Sequence, residues 1–160
     1  MSATATHLPP FQRFLDEHRD VVWRYLVGMV GRTDADDVFQ ETFMSALKAY
    51  DRLRVGSNLR AWVLTIAHRK ALDHFNARKR RALPVEELPE QPVHDDPVIE
   101  DPVWERVRRL PPKQRAALTL RFAGDLSHAE VGIALGVSEE AARRSAHEGL
   151  KKLREELAPS

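Results

Sequence analysis

Residues 58–81 read NLRAWVLTIAHRKALDHFNARKRR, and this stretch decides how the rest of the chain is interpreted. Nothing within it breaks a helix, and Ser57 is a residue type that caps helix N-termini, so we predict about six continuous turns. Apolar residues recur every three or four positions and mark one buried stripe. They are Leu59, Trp62, Val63, Ile66, Ala67 and Ala71.

The other faces of this helix are basic, and residues 78–81 are all Lys or Arg. A helix with one apolar face and with cationic and amide groups on its other faces is suited to contact with a nucleic-acid backbone. A core helix with a basic solvent face has the same pattern. The helix alone therefore leaves both interpretations open.

The composition favours an all-helical protein. Hydrophobic residues make up 42% of the 160 residues, enough to pack one average domain or two small ones. Glycine is scarce, strand-type alternation is absent, and no cysteine is present for a disulfide or a thiolate metal site. Because no signal peptide or membrane-length apolar run is found, we expect a soluble, cytoplasmic protein without membrane insertion.

The net charge of +1 conceals a strong segregation along the chain. Residues 1–81 carry 14 basic against 9 acidic side chains, and residues 103–160 carry 11 against 8. Residues 82–102 carry 7 acids, no Lys or Arg, and five prolines. Repeated proline withholds backbone donors, so we predict an extended acidic linker between two helical domains. The predicted domains are residues 9–81 and 103–158.

Two amphipathic helices precede the basic stretch. The first begins after Pro9 and Pro10, and Gly28 and Gly31 are expected at its end. The second lies in DADDVFQETFMSALKAYDRL, residues 34–53. Its buried stripe comprises Val38, Phe39, Thr42, Phe43, Ala46, Leu47 and Tyr50, and its opposite face carries Asp37, Gln40 and Glu41.

The second domain contains a predicted helix-turn-helix. Ser127 and Glu130 have capping-box spacing, Gly136 supplies a tight turn, and Ser138 caps the helix that follows. A plain helical hairpin is the alternative at this spacing.

Taken together, these segments resemble the bacterial extracytoplasmic-function (ECF) sigma factors. Residues 34–53 and 58–81 resemble sigma region 2. Residues 110–144, LPPKQRAALTLRFAGDLSHAEVGIALGVSEEAARR, resemble sigma region 4. The resemblance covers about residues 11–81 and 103–157, with the two regions in the family's order.

The resemblance implies that the chain binds core RNA polymerase and directs promoter recognition, DNA opening and initiation. Asp37, Gln40 and Glu41 would dock on the clamp helices of the β′ subunit. The loop and long helix would hold the opened minus-ten element, which requires cations for phosphates and a pocket for an unstacked base. The candidates are Arg52, Arg54, Asn58, Arg60, Trp62, His68, Arg69, Asp73, Asn76, Arg78, Lys79 and Arg80.

Trp62 suits either a wedge at the point where the duplex parts or core packing beside Leu59 and Ile66. The basic run at the end of the helix is expected to touch phosphates, which sets affinity rather than sequence preference.

The resemblance also implies that the second helix of the motif enters the major groove at the minus-thirty-five element. The candidates are Ser138, Arg143, Arg144, Ser145, His147 and Lys151. This helix departs from the family pattern, with residues 140–143 reading EAAR and an acid at Glu148 that would repel phosphate. Gly149 is expected to weaken the helix, and Leu150 to join an apolar face. The family's base preferences therefore do not transfer.

The implied partners are core RNA polymerase through its β′ clamp and β subunits, promoter DNA, and an anti-sigma protein. The acidic linker would either mimic nucleic acid in a basic channel of polymerase or act as a solvated spacer.

No cofactor, metal site or catalytic residue is predicted, and the chain is not expected to be an enzyme. A metal-dependent nuclease would require Asp34, Asp36, Asp37 and Glu41 as ligands, although helix-dipole compensation already accounts for three of them. The alternative functions are a stand-alone helix-turn-helix regulator and a polymerase-binding protein without promoter selectivity.

Overall fold

A computed structural model describes residues 7–81 and 102–157, with the side chain of Pro102 left out. All regular elements in these two ranges are α-helices, as the composition predicts. The predicted linker lies almost wholly outside the described residues. The helices are α1 (Phe11–Val30), α2 (Arg32–Tyr50), α3 (Leu59–Arg81), α4 (Pro102–Arg108), α5 (Pro112–Phe122), α6 (His128–Leu135) and α7 (Glu139–Leu157).

Helices α1, α2 and α3 pack together as the first module. Their core contains the fully buried side chains of Phe14, Leu26, Val38 and Leu64. An aromatic cluster contributes to this core, with the ring centroids of Phe14 and Tyr50 5.2 Å apart. The apolar stripes predicted from helical spacing account for most of this core. Leu47 is an exception, because it is 56% exposed although the spacing places it on the stripe.

Helices α4 to α7 form the second module, and α6, the turn and α7 form the helix-turn-helix. Ser127 and Glu130 make the predicted capping box. Gly136 adopts the left-handed conformation at the end of α6, with a φ of 70°, and the Ser138 hydroxyl accepts a hydrogen bond from the Ala141 amide at 3.1 Å. Each of these features is local in sequence, which is why the motif was predictable.

Gly149 lies where α7 crosses α5. A Cβ atom added to Gly149 would lie 2.9 Å from a Leu118 methyl carbon, so the missing side chain permits a close approach of the two helices. Leu150 is half-buried against a small core of Val107, Leu110, Leu118 and Leu153. It therefore belongs to an apolar face, as predicted.

The two modules pack directly against each other, which the sequence did not predict. Buried apolar side chains of both modules form one continuous cluster. Gly28 does not end α1 as expected. It lies inside the helix at the boundary, where an added Cβ would be 2.8 Å from Thr119 Cγ2 and 3.2 Å from the Trp104 ring. On α3, Leu64 makes the corresponding close contact with Gly124.

No helix within residues 7–81 and 102–157 is long and apolar enough to cross a membrane.

Candidate polymerase and nucleic-acid interfaces

The outward face of α2 carries the three side chains expected to meet polymerase. Asp37, Gln40 and Glu41 are all exposed. Met44 and Leu47 extend this face with apolar surface, at 60% and 56% exposure. Helical spacing identified the polar part of the face but assigned Leu47 to the core. We call these five residues the α2 face.

The loop before α3 presents its basic side chains to solvent, because Arg52 and Arg54 are exposed. The predicted cap at Ser57 is wrong, since its hydroxyl donates to the Arg54 carbonyl at 2.6 Å. Asn58 caps α3 instead, and its Oδ1 accepts from the Ala61 amide at 3.1 Å. Both residue types suit N-caps, so sequence alone could not separate adjacent positions.

The exposed surface of α3 is mostly basic along its length. Arg78 donates to the Asp34 carboxylate at 2.8 Å, and His74 Nε2 lies 3.2 Å from the same oxygen. Asp34 therefore does more than complement the dipole of α2, because it also ties that helix to the last turns of α3. The predicted minus-ten side chains that are exposed on α3 are Arg60, Arg69, Asp73, Asn76, Arg78, Lys79 and Arg80.

Two predicted minus-ten residues are held inside the first module. His68 is 7% exposed, and its Nδ1 lies 3.0 Å from the Tyr25 hydroxyl, so this predicted minus-ten side chain is not at the surface. Burial lowers the pKa of His68 to about 4, with a smaller contribution from Arg69. Trp62 packs against Phe14 at 5.7 Å between ring centroids, which favours its core interpretation.

Helix α7, the second helix of the helix-turn-helix, carries the predicted polar residues from Arg143 to Lys151, and Ser138 lies just before its first residue. Ser138, Arg143, Arg144, His147 and Lys151 are exposed, and Ser145 is half-buried. Arg143 is paired with Glu139 one turn earlier, at 3.1 Å. The carboxylate of Glu148 is exposed and lies 3.5 Å from the Gln114 amide nitrogen of α5.

Two of the predicted minus-ten residues contact the second module. Asn58 Nδ2 donates to Glu130 Oε2, and Arg60 lies 3.4 Å from the Asp125 carboxylate. The pKa of Glu130 is lowered, first by the hydrogen bond from the Ser127 backbone amide and then, against the opposing effect of burial, by that from Asn58. No sequence pattern indicated these contacts, because they join residues that are 72 and 65 positions apart.

The proposed metal ligands of the nuclease alternative do not assemble. No group of three or more His, Cys, Asp or Glu side chains with metal-binding geometry occurs within the two described ranges. Asp34, the acid of that set nearest to α3, is engaged by Arg78 and His74.

Comparisons with known proteins agree with this arrangement of two modules. A family model of sigma-70 region 2 matches residues 14–81, and one of sigma-70 region 4 matches residues 100–153. The ECF RNA polymerase sigma factor SigD of Mycobacterium tuberculosis is 34% identical over 158 residues, covering 89% of this chain and 74% of SigD. The chain belongs to the ECF sigma factors.

Other relatives of this ECF sigma factor support the same family. CarQ of Myxococcus xanthus, an RNA polymerase sigma factor, is 30% identical over 92% of the chain and 88% of CarQ. BldN of Streptomyces coelicolor, an ECF sigma factor, is 32% identical over 94% of the chain. The chain spans 61% of the length of BldN.

Two solved structures share the fold of this ECF sigma factor. RpoE of Bartonella quintana, crystallised with the anti-sigma factor NepR, matches 91% of the chain and 94% of RpoE with a TM-score of 0.77 at 20% identity. CnrH, determined with the cytosolic domain of CnrY, matches 92% of the chain and 86% of CnrH with a TM-score of 0.66 at 24% identity.

Proposed function

We propose that this ECF sigma factor binds core RNA polymerase and directs it to promoters, where it recognises the DNA, holds the opened strand and permits initiation. The observation that carries the proposal is the pairing of two different surfaces on one module. The α2 face is acidic, amide-bearing and partly apolar, whereas α3 is strongly basic. One surface suits a protein partner and the other suits phosphates.

The α2 face is the proposed contact with the β′ clamp. Met44 and Leu47 offer exposed apolar area, and Asp37, Gln40 and Glu41 continue the same face with polar groups towards the start of α2. Exposed apolar area next to polar side chains is typical of protein interfaces and needs no nucleic acid to explain it. The β subunits would complete the polymerase contact.

We assign the minus-ten contact to the loop before α3 and to the exposed side of α3. Arg52, Arg54, Asn58 and Arg60 are exposed at the start of this surface, and residues 78–81 extend it with further cations. Cationic contacts position a strand, and amide groups such as that of Asn58 are suited to base edges. His68 is excluded from this set, because it is buried.

The minus-thirty-five contact falls to α7, whose N-terminal half would enter the major groove. Arg144, His147 and Lys151 are exposed on this helix, and Arg143 is exposed while paired with Glu139. The proposed division of labour is residues 9–81 for polymerase and the minus-ten element, residues 82–102 as a linker, and residues 103–158 for the minus-thirty-five element.

The protein would act in the cytoplasm as a binding factor without catalytic chemistry of its own. An anti-sigma protein is the further partner we propose, since RpoE of Bartonella quintana, a sigma factor of the same fold, was crystallised with one. A stand-alone regulator would leave the α2 face without a partner. A polymerase-binding protein without promoter selectivity would leave the exposed arginines of α7 unused.

Transcription in vitro with sigma-free core polymerase tests the proposal. We expect defined start sites on a library of genomic fragments only when the protein is added. A protein that binds operator DNA without polymerase, and yields no transcripts with it, would support the stand-alone regulator instead.

A further inference from the structure

One carboxylate at the start of α2 holds two side chains from the second half of α3. Asp34 lies in the first turn of α2, and its Oδ2 accepts a hydrogen bond from Arg78 Nη1 at 2.8 Å. The same oxygen lies 3.2 Å from His74 Nε2. Arg78 is one of the cations that the proposed function assigns to the phosphates of the opened strand, so its orientation bears on DNA binding.

The acid of this pair is sheltered, whereas the cation reaches into solvent. The side chains of Asp34 and His74 are 25% and 26% exposed, and that of Arg78 is 54% exposed. In the Arg13–Glu17 pair on α1, by contrast, both side chains are more than half exposed. A partly desolvated carboxylate that is contacted from two sides fixes its partners better than a solvated one.

Arg78 can keep this bond and bind a phosphate at the same time. A guanidinium has five N–H donors in one rigid plane, and the bond from Nη1 to Asp34 leaves donors for a second acceptor. A long side chain that is already ordered loses less conformational entropy on binding than a free one. The contact with Asp34 therefore prepares Arg78 for a phosphate instead of competing with it.

Compensation of the helix dipole does not account for this contact. Acidic side chains near the start of α2 are favoured by the dipole wherever they point, and Asp36 and Asp37 are exposed. Asp34 alone of these three acids has a bond to α3 in the described part of the chain. Its position beside Arg78 indicates a task that the other two acids do not share.

We propose that Asp34 is a positioning residue for promoter DNA. With His74 on the same carboxylate oxygen, it holds the Arg78 guanidinium in the orientation that contacts a backbone phosphate of the opened strand. The inference rests on the proposed function, because that function assigns Arg78 to DNA.

Binding of the full chain to single-stranded DNA tests this role without polymerase or a known promoter. Phosphate contacts carry no sequence information, so the probe is a fluorescein-labelled oligothymidylate of about 20 nucleotides. Fluorescence anisotropy gives the affinity over a series of salt concentrations. Thermal unfolding of each variant sets an assay temperature at which all of them are folded.

We expect Arg78→Ala to weaken binding at least threefold and to make the logarithmic salt dependence shallower by about 0.7, the value for one lost phosphate contact on a single strand. Asp34→Asn should weaken binding at least twofold and also make the salt dependence shallower, although it removes a negative charge. In the Arg78→Ala background, Asp34→Asn should cause no further loss, because its effect on DNA passes through Arg78.

Asp36→Asn is the matched control, since it makes the same charge change two positions along α2 at an exposed site. It should leave the affinity unchanged or raise it. The inference is overturned if Asp34→Asn binds as tightly as Asp36→Asn, if its salt dependence equals that of the wild type, or if it costs as much without Arg78 as with it. A wild type that does not bind the oligothymidylate at low salt would overturn it as well.

Failure of the proposed function would give a different result. In that case no promoter-dependent transcripts would appear with core polymerase, while the oligothymidylate assay would still show whether Asp34 acts through Arg78. Normal transcription by the wild type, together with equal affinities of Asp34→Asn and Asp36→Asn, would remove the positioning role alone.

Discussion

The Tyr25 hydroxyl lies 3.0 Å from His68 Nδ1, and both side chains are buried between α1 and α3. Burial raises the pKa of Tyr25 well above its ordinary value and lowers that of His68 to about 4. The fold therefore holds a neutral histidine, whereas the unfolded chain protonates it near pH 6.5.

This difference predicts a loss of stability in acid. Because the folded-state pKa of His68 is depressed, its contribution is fully present above pH 6.5 and is lost as the pH falls towards 4. The full effect is about 3 kcal/mol, of which about 2 kcal/mol is lost by pH 5. Urea unfolding at pH 7.5 and pH 5 measures it. His68→Gln should show a pH dependence smaller by about 2 kcal/mol, and an unchanged dependence would contradict the assignment.

Asp34 is expected to stabilise the first module through its partners on α3. Asp34→Asn should lower the free energy of unfolding by about 0.5–1 kcal/mol at low salt, because the Arg78 ion pair is partly exposed. The loss should shrink at high salt. Asp36→Asn is the matched control, since Asp36 is exposed two positions along the same helix. Equal losses for the two variants in thermal unfolding would indicate a dipole effect alone.

Charge reversal on the α2 face should weaken polymerase binding. We expect Gln40→Lys with Glu41→Lys to reduce affinity for core polymerase at least tenfold, measured by fluorescence anisotropy of labelled protein. The exposed pair Gln12→Lys and Glu17→Lys on α1 introduces the same charge change elsewhere on the module. If the control pair weakened binding as much, the effect would reflect net charge and not this face.

The arginines of α7 should govern promoter choice. A bidentate arginine contact with guanine contributes about 1–3 kcal/mol of discrimination, so Arg144→Ala should reduce transcription from the preferred promoter by about tenfold. The affinity of the Arg144→Ala variant for core polymerase should equal that of the wild type. Lys152→Ala, exposed two turns further along α7, should leave promoter preference intact. If the Arg144→Ala variant kept its promoter preference, Arg144 would not belong to the DNA-reading surface.

The local features of this fold were predictable, and the long-range ones were not. The capping box of Ser127 and Glu130 and the left-handed Gly136 depend on neighbours within a few positions. The outward direction of Gln40 and Glu41 follows from helical spacing alone. In contrast, the burial of His68 was not predicted, because its hydrogen-bond partner, Tyr25, is 43 positions away.

Gly28 illustrates the same limit. A glycine near the end of a helical pattern usually marks its terminus, but here it admits Thr119 and Trp104 from the other module. Without knowledge of that packing, a site of close approach cannot be distinguished from a helix end.

Glu130 uses its two oxygens for separate tasks. Oε1 accepts from the Ser127 amide at 2.9 Å within the capping box, and Oε2 receives the Asn58 amide from the other module. Losing Asn58 leaves the first bond untouched. The N-terminus of α6 therefore stays capped whether or not the two modules touch, because each contact uses a different oxygen of the same carboxylate.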